Sequence, residues 1–168
     1  MSAPARQHTY RARLEWSGAE RGGTRSYAAY SREYRVSFDG KPPLRGSADA
    51  AFRGDPALHN PEDLLVAALS SCHLLSYLAL CAMAKIEVVS YDDDAVGTME
   101  ETAGSGHFTR VVLHPRVKIA TNDLDRARAL HAEAHRQCFI ASSVNFPVEH
   151  EAIVERADAG AGVAPEAP

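Results

Sequence analysis

Residues 59–85 read HNPEDLLVAALSSCHLLSYLALCAMAK, and from Leu64 to Ala84 this stretch carries no charged side chain. Asn60 can cap a helix, Pro61 suits its first position, and Glu62 and Asp63 place negative charge at the positive end of the helix dipole. A long helix starting here is the best-specified element of the chain. It is apolar nearly all round, which implies burial on most sides. A membrane span needs roughly 20 apolar residues, and the run has that length. Ser70, Ser71, His73 and Ser76 crowd its middle, however, and the flanking segments alternate as strands of a soluble sheet do. The expectation is a central helix covered by a sheet on one side and by a second copy of itself on the other.

Working outward, Tyr10–Trp16 and Ser26–Phe38 read as strands around the turn-forming SGAERGG, with a closing turn at Asp39-Gly40. A polar loop follows, KPPLRGSADAAFRGDPALHN; loops of this length are more often functional than idle. Beyond the central helix, Val88–Glu101 and His107–Ala120 resemble two strands joined by AGSG, and Pro115 points to an edge or a bulge. A second helix runs from the cap Asn122 to about Cys138, with Leu124, Ala127, Leu130, Ala134 and Cys138 on one stripe. A last strand covers Pro147–Arg156. This order predicts an α+β fold with helices on one face of an antiparallel sheet. Residues 1–7 and 157–168 read as flexible tails and 8–156 as one domain.

The 168 residues carry a net charge of −4 and are 45% hydrophobic and 24% charged, so neither disorder nor a polyanion-binding surface is indicated and nucleic acid is not an expected partner. The start, MSAPARQHTY, has no apolar stretch behind its basic residues, which predicts a cytoplasmic protein and no membrane partner. Cys72, Cys81 and Cys138 are too few and too scattered for a disulfide framework. Cys81 falls on the opposite side of the central helix from Cys72 and reads as packing. Cys72 has polar neighbours, and Cys138 ends the apolar stripe of the second helix, so the two could meet in the core.

NPEDLLVAALSSC (60–72) resembles the segment that leads to the peroxidatic cysteine of the OsmC/Ohr family of thiol peroxidases, and AHRQC (134–138) resembles its second-cysteine segment. The likeness extends in element order from about Tyr10 to Arg156. It implies the OsmC-like fold, an intertwined homodimer with sites at the subunit interface, and reduction of organic hydroperoxides, and more weakly of hydrogen peroxide, in oxidative stress defence. By the same resemblance Cys72 is the peroxidatic residue, Cys138 the resolving residue, and Glu62 the carboxylate that orients an essential arginine. OsmC-type relatives point to Arg53 for that arginine; Ohr-type relatives point to Arg32, Arg25 or Arg21. Arg53 is the first choice. No cofactor or metal is implied, and the reductant is an external dithiol, lipoyl-linked in Ohr-type relatives. Phe139 stands where the family often has proline.

The chemistry explains why a cation is needed. A free cysteine with a pKa of about 8.5 is only a few per cent thiolate at neutral pH, and burial lowers that fraction further. A guanidinium held by a carboxylate would favour the anion. Glu62 and Cys72 are ten residues apart, about 15 Å along one helix, so the arginine must come from a covering loop or from across a dimer. A competing reading treats His131, His135 and Cys138, one face of the second helix, as ligands of a zinc-like ion in a non-catalytic metal-binding or redox-sensing protein. A Cys-His hydrolase built on Cys72 lacks an orienting Asp or Asn.

Overall fold

The computed structural model describes residues 6–158. The chain forms two compact units, one ending at Leu64 and the other beginning at Leu65. Most of each tail expected at 1–7 and 157–168 lies outside the described residues.

In the first unit, β1 (Arg13–Glu15), β2 (Tyr34–Ser37) and β3 (Leu44–Gly46) make an antiparallel sheet in that order. The β2–β3 connection turns at Asp39-Gly40 as expected, with Gly40 at φ 72, a conformation that favours glycine. The strands are shorter than the aromatic spacing predicts. Between β1 and β2 the chain makes a 3-10 turn at Ser17–Arg21, and residues 26–33 are not extended. Their carbonyls serve Arg32 instead, which donates to the oxygens of Tyr30 at 2.7 Å and Tyr27 at 2.6 Å. The long polar loop is also more structured than expected. It contributes β3 and a turn at Ala50–Phe52, and Ser47 donates its amide to His59.

Helix α1 (Pro61–Met83) begins in this unit. Asn60 Oδ1 accepts the Asp63 amide at 2.7 Å, and Asp63 Oδ2 accepts the Asn60 amide at 3.3 Å. That reciprocal cap satisfies two backbone donors that the first turn leaves without partners.

In the second unit the two long strands expected at 88–101 and 107–120 are four: β4 (Val88–Asp93), β5 (Val96–Thr102), β6 (Ser105–Leu113) and β7 (Pro115–Ile119). The hairpin β5–β6 turns at Ala103-Gly104, with Gly104 at φ 87. The strand pair bends at His114, where Pro115 has no amide to donate; the His114 amide bonds Asp93 Oδ1 at 2.7 Å. The other oxygen of Asp93 accepts the Ser70 hydroxyl, so this carboxylate ties the bend to α1. The final strand is likewise split into β8 (Val148–His150) and β9 (Ile153–Arg156). β8 runs parallel to β6, and β9 parallel to β7. The architecture is α+β as expected, with this difference: the last strands enter in parallel, because the chain returns through α2 (Leu124–Gln137) rather than by a hairpin.

The strands form two three-stranded sheets, in the orders β4-β7-β9 and β5-β6-β8; α1 packs on both and α2 on the first. Leu69 of α1 meets Val111 and Leu113, whereas Tyr77, Leu80 and Cys81 pack with Val117, Ile119, Val154 and the Ala127, Leu130, Ala134 stripe of α2. Cys81 is buried in that core, the place expected for a packing residue. The α2 cap is Asp123, which accepts the Arg126 amide, rather than Asn122. One face of α1, with Ala67, Ser71, Leu75, Ala79 and Met83, remains exposed on the single chain.

Candidate active site

The two cysteines at issue lie in the second unit. Cys72 sits mid-way along α1 and is half-buried; Cys138 caps the C-terminus of α2 and is 1% exposed. The two thiols are close enough for Cys72 to act on the titration of Cys138. Cys138 Sγ also accepts the amide of Ala141 at 3.4 Å. Burial, followed by the contact with Cys72, pushes the Cys138 thiol up to about 11. Cys138 therefore keeps its proton at neutral pH.

Beside this pair lies a set of histidines that the sequence reading did not assemble. His131 of α2 is fully buried, as is His73 of α1. His73 Nε2 meets His131 Nδ1 at 3.0 Å. The ring centroids are 5.4 Å apart with the planes within 10°, so the two nitrogens face each other end to end. That is hydrogen-bond geometry, and it leaves no room for a cation between them. Tyr77 stacks on the other face of His131 at 3.9 Å, and the His150 ring stands 5.5 Å from His73 and 5.8 Å from His131. Burial holds His73 down to about 4 and His131 down to about 3, so both rings are neutral at physiological pH. The signal available in the sequence was the position of His73, directly after Cys72.

The metal trio His131, His135 and Cys138 is not assembled. His131 Nδ1 is engaged by His73, and Cys138 Sγ by the Ala141 amide. Among the described residues no three His, Cys, Asp or Glu side chains are grouped to hold a metal ion.

The charged candidates belong to the first unit. Glu62 lines a cavity of about 480 Å³ walled by Trp16, Tyr30, Tyr34 and Phe52, and Arg32 lines the same cavity. Burial, then Glu62 and Asp63, raise the Tyr34 phenol, which places the Glu62 carboxylate near it. Arg32 is held in place. Its guanidinium stands 4.0 Å from the Tyr30 ring centroid and 4.8 Å from that of Tyr27, besides its two bonds to carbonyls. Arg53 is exposed, in a left-handed conformation at φ 66, and lines a different recess with Arg21, Arg32 and Asp55. Arg21 is committed to an ion pair with Glu33, and Arg25 lies in the exposed 24–29 segment. The arginine that shares a cavity with Glu62 is thus Arg32, not Arg53. The spacing of aromatics in SYAAYSREY (26–34) was the clue, since Tyr27 and Tyr30 hold its side chain.

Comparison with known proteins bears on this arrangement. Residues 54–152 match the family model described as OsmC-like protein. No curated protein matches the chain. An OsmC-like protein of unknown function from Vibrio cholerae is 34% identical and superposes with a TM-score of 0.79, over 88% of this chain and all of that one. An organic hydroperoxide resistance protein from Elizabethkingia anophelis, 20% identical, covers 90% of this chain and 99% of its own with a TM-score of 0.64. An OsmC-like protein from Mycoplasma pneumoniae, 10% identical, covers 89% and 99% with a TM-score of 0.69. The last two show a shared fold.

Proposed function

Because the chain belongs to the OsmC-like protein family, we propose that it is a thiol-dependent peroxidase that reduces organic hydroperoxides, and hydrogen peroxide more weakly. The observation that supports this reading is the nearness of Cys72 to Cys138. One thiol is open to a small molecule, and the other is buried beside it with its proton retained.

The chemistry runs as follows. The Cys72 thiolate attacks the terminal oxygen of the hydroperoxide; the O–O bond breaks, and the alkoxide takes a proton and leaves as an alcohol. Cys72 becomes a sulfenic acid. Cys138 then attacks that sulfur, and the proton it carries leaves with the hydroxide as water, which closes the Cys72–Cys138 disulfide. A neutral Cys138 suits this step, since it is not itself the competing nucleophile toward peroxide. An external dithiol, lipoyl-linked by family likeness, returns two electrons and reopens the bond. Arg32, oriented by Glu62, is the cation proposed to favour the Cys72 anion and to hold the peroxide. Because Glu62 lies about 15 Å along α1 from Cys72, we take this cation to come from a second copy of the chain. The exposed face of α1 supports such a homodimer. The setting proposed is the reducing cytoplasm.

Intact-mass analysis after one equivalent of cumene hydroperoxide tests the scheme. The expected results are loss of two hydrogens in the wild type, one added oxygen in Cys138→Ser, and no fast reaction in Cys72→Ser. Arg32→Ala should slow the oxidation of Cys72 by two orders of magnitude or more, and Arg53→Ala by less than threefold. Fast oxidation at Cys81, or an Arg53→Ala defect larger than that of Arg32→Ala, would refute the assignments.

A further inference from the structure

A disulfide forms only if two sulfurs meet with Cβ atoms about 3.5–4.5 Å apart and a torsion near 90°. Apolar packing alone specifies volume well and rotation of a helix about its own axis poorly. In this protein the two helices that carry the thiols are also joined by a polar crossbar. His73 directly follows Cys72 on α1, and His131 lies two turns before Cys138 on the same face of α2. Their 3.0 Å bond is the sole histidine bridge between α1 and α2 among the described residues. Tyr77, one turn beyond His73, stacks on His131 and prevents the imidazole from swinging away.

Stability does not account for the pair. The outer nitrogens, His73 Nδ1 and His131 Nε2, are buried without a protein partner. Each such atom costs about 1–3 kcal/mol unless a buried water serves it, and an apolar pair of equal volume would avoid the cost. Buried polar pairs of this kind are best attested where they set register.

We propose that the His73–His131 hydrogen bond is a positioning device that aligns α1 against α2 so that Cys72 and Cys138 close readily into a disulfide. The proposal rests on the reading above, in which those two thiols pair. Among the described residues neither histidine hydrogen-bonds a sulfur, and their action is exerted through helix orientation.

The test is equilibration with mixtures of reduced and oxidised dithiothreitol, in which two electrons and two protons pass from the thiols to the oxidised reagent. The disulfide fraction is read by alkylation and mass spectrometry. His131→Phe keeps a ring on Tyr77 but strands His73; the double variant His73→Phe, His131→Phe removes both polar groups and restores apolar complementarity. Both should lower the disulfide-forming equilibrium constant at least tenfold, which is about 30 mV for this two-electron couple. The double variant should melt within a few degrees of the wild type, so that potential and stability part company. His131→Gln, which can still bond His73, should stay within threefold of the wild type. A double variant whose equilibrium lies within twofold of the wild type would overturn the proposal, as would a Gln variant no better than Phe. No peroxide enters the assay. A normal wild-type disulfide in a protein that does not turn over hydroperoxide would therefore count against the peroxidase reading alone, and a wild type that forms no Cys72–Cys138 disulfide would overturn both.

Discussion

At the scale of single residues, the buried histidines make stability depend on pH with a predictable sign. His73 is depressed first by burial and then by His150, with Asp93 opposing and His135 adding; His131 is depressed by burial, then by His73 and His150. In the unfolded chain these rings take up protons near a pKa of about 6.5. In the folded chain they do so only near 4 and 3. Their contribution is therefore fully present above pH 6.5 and is lost as pH falls from there through the folded values, by about 1.4 kcal/mol per pH unit for each ring. Urea unfolding at pH 7.5, 6.0 and 5.0 should show this decline. In His131→Phe the dependence should weaken by about one proton over the same interval, because carboxylate contributions are common to both proteins. An unchanged slope would mean that His131 is protonated in the folded state. The thiols were legible in the sequence because a 3.6-residue period places Cys138 on the buried stripe of α2. The histidine bond was not, since nothing in a single helix reveals which residues of another helix its inner face will meet.

At the scale of elements, the start of α1 was readable, that of α2 was one residue off, and strand ends were not readable. Asn60, Pro61 and the acidic pair specify the beginning of α1 by local chemistry alone, and the structure begins α1 at Pro61. Removal of the cap should have a local cost of ordinary size. Asn60→Ala deletes the acceptor for the Asp63 amide and the 3.3 Å bond from Asn60 Nδ2 to Asp49. The expected destabilisation is about 1 kcal/mol by urea titration, with Asn60→Asp recovering most of it. A loss below about 0.3 kcal/mol would mean that water replaces the cap without penalty. The strands answer to longer-range terms. Pro115 announced an irregularity, but the split of each long strand at one level depends on Asp93 receiving the His114 amide from across the pair. Likewise Ser26–Phe38 has strand composition, yet its first half curls because Arg32 draws the carbonyls of Tyr27 and Tyr30 to itself. A propensity read residue by residue has no means of including either bond.

At the scale of the whole molecule, the apolar run that raised the question of a membrane span has a simpler cover. Helix α1 is long and apolar enough to cross a bilayer, but Leu69, His73, Tyr77, Leu80 and Cys81 are buried by the chain's own sheet and second helix. The opposite face carries Leu75 at 67% exposure and Met83 at 70%, in one row with the small residues Ala67, Ser71 and Ala79. Small residues in a row let another helix approach closely, and two large apolar side chains in water are each unfavourable by about 1.5–3 kcal/mol relative to burial. A second copy of the same face would meet both conditions at once, through the self-complementary contact of a two-fold dimer. Sedimentation of the purified protein without detergent should therefore give twice the mass of the chain at micromolar concentration. Leu75→Glu should shift it toward monomer and lower the melting temperature, because a charge would then face its own copy across the axis. If Arg32 acts on the partner's Cys72, the same variant should also lose fast oxidation of Cys72 while every residue of the proposed site remains in place. A wild type that sediments as monomer, or a Leu75→Glu monomer that still reacts at the wild-type rate, would return the activating arginine to the chain that bears the cysteine.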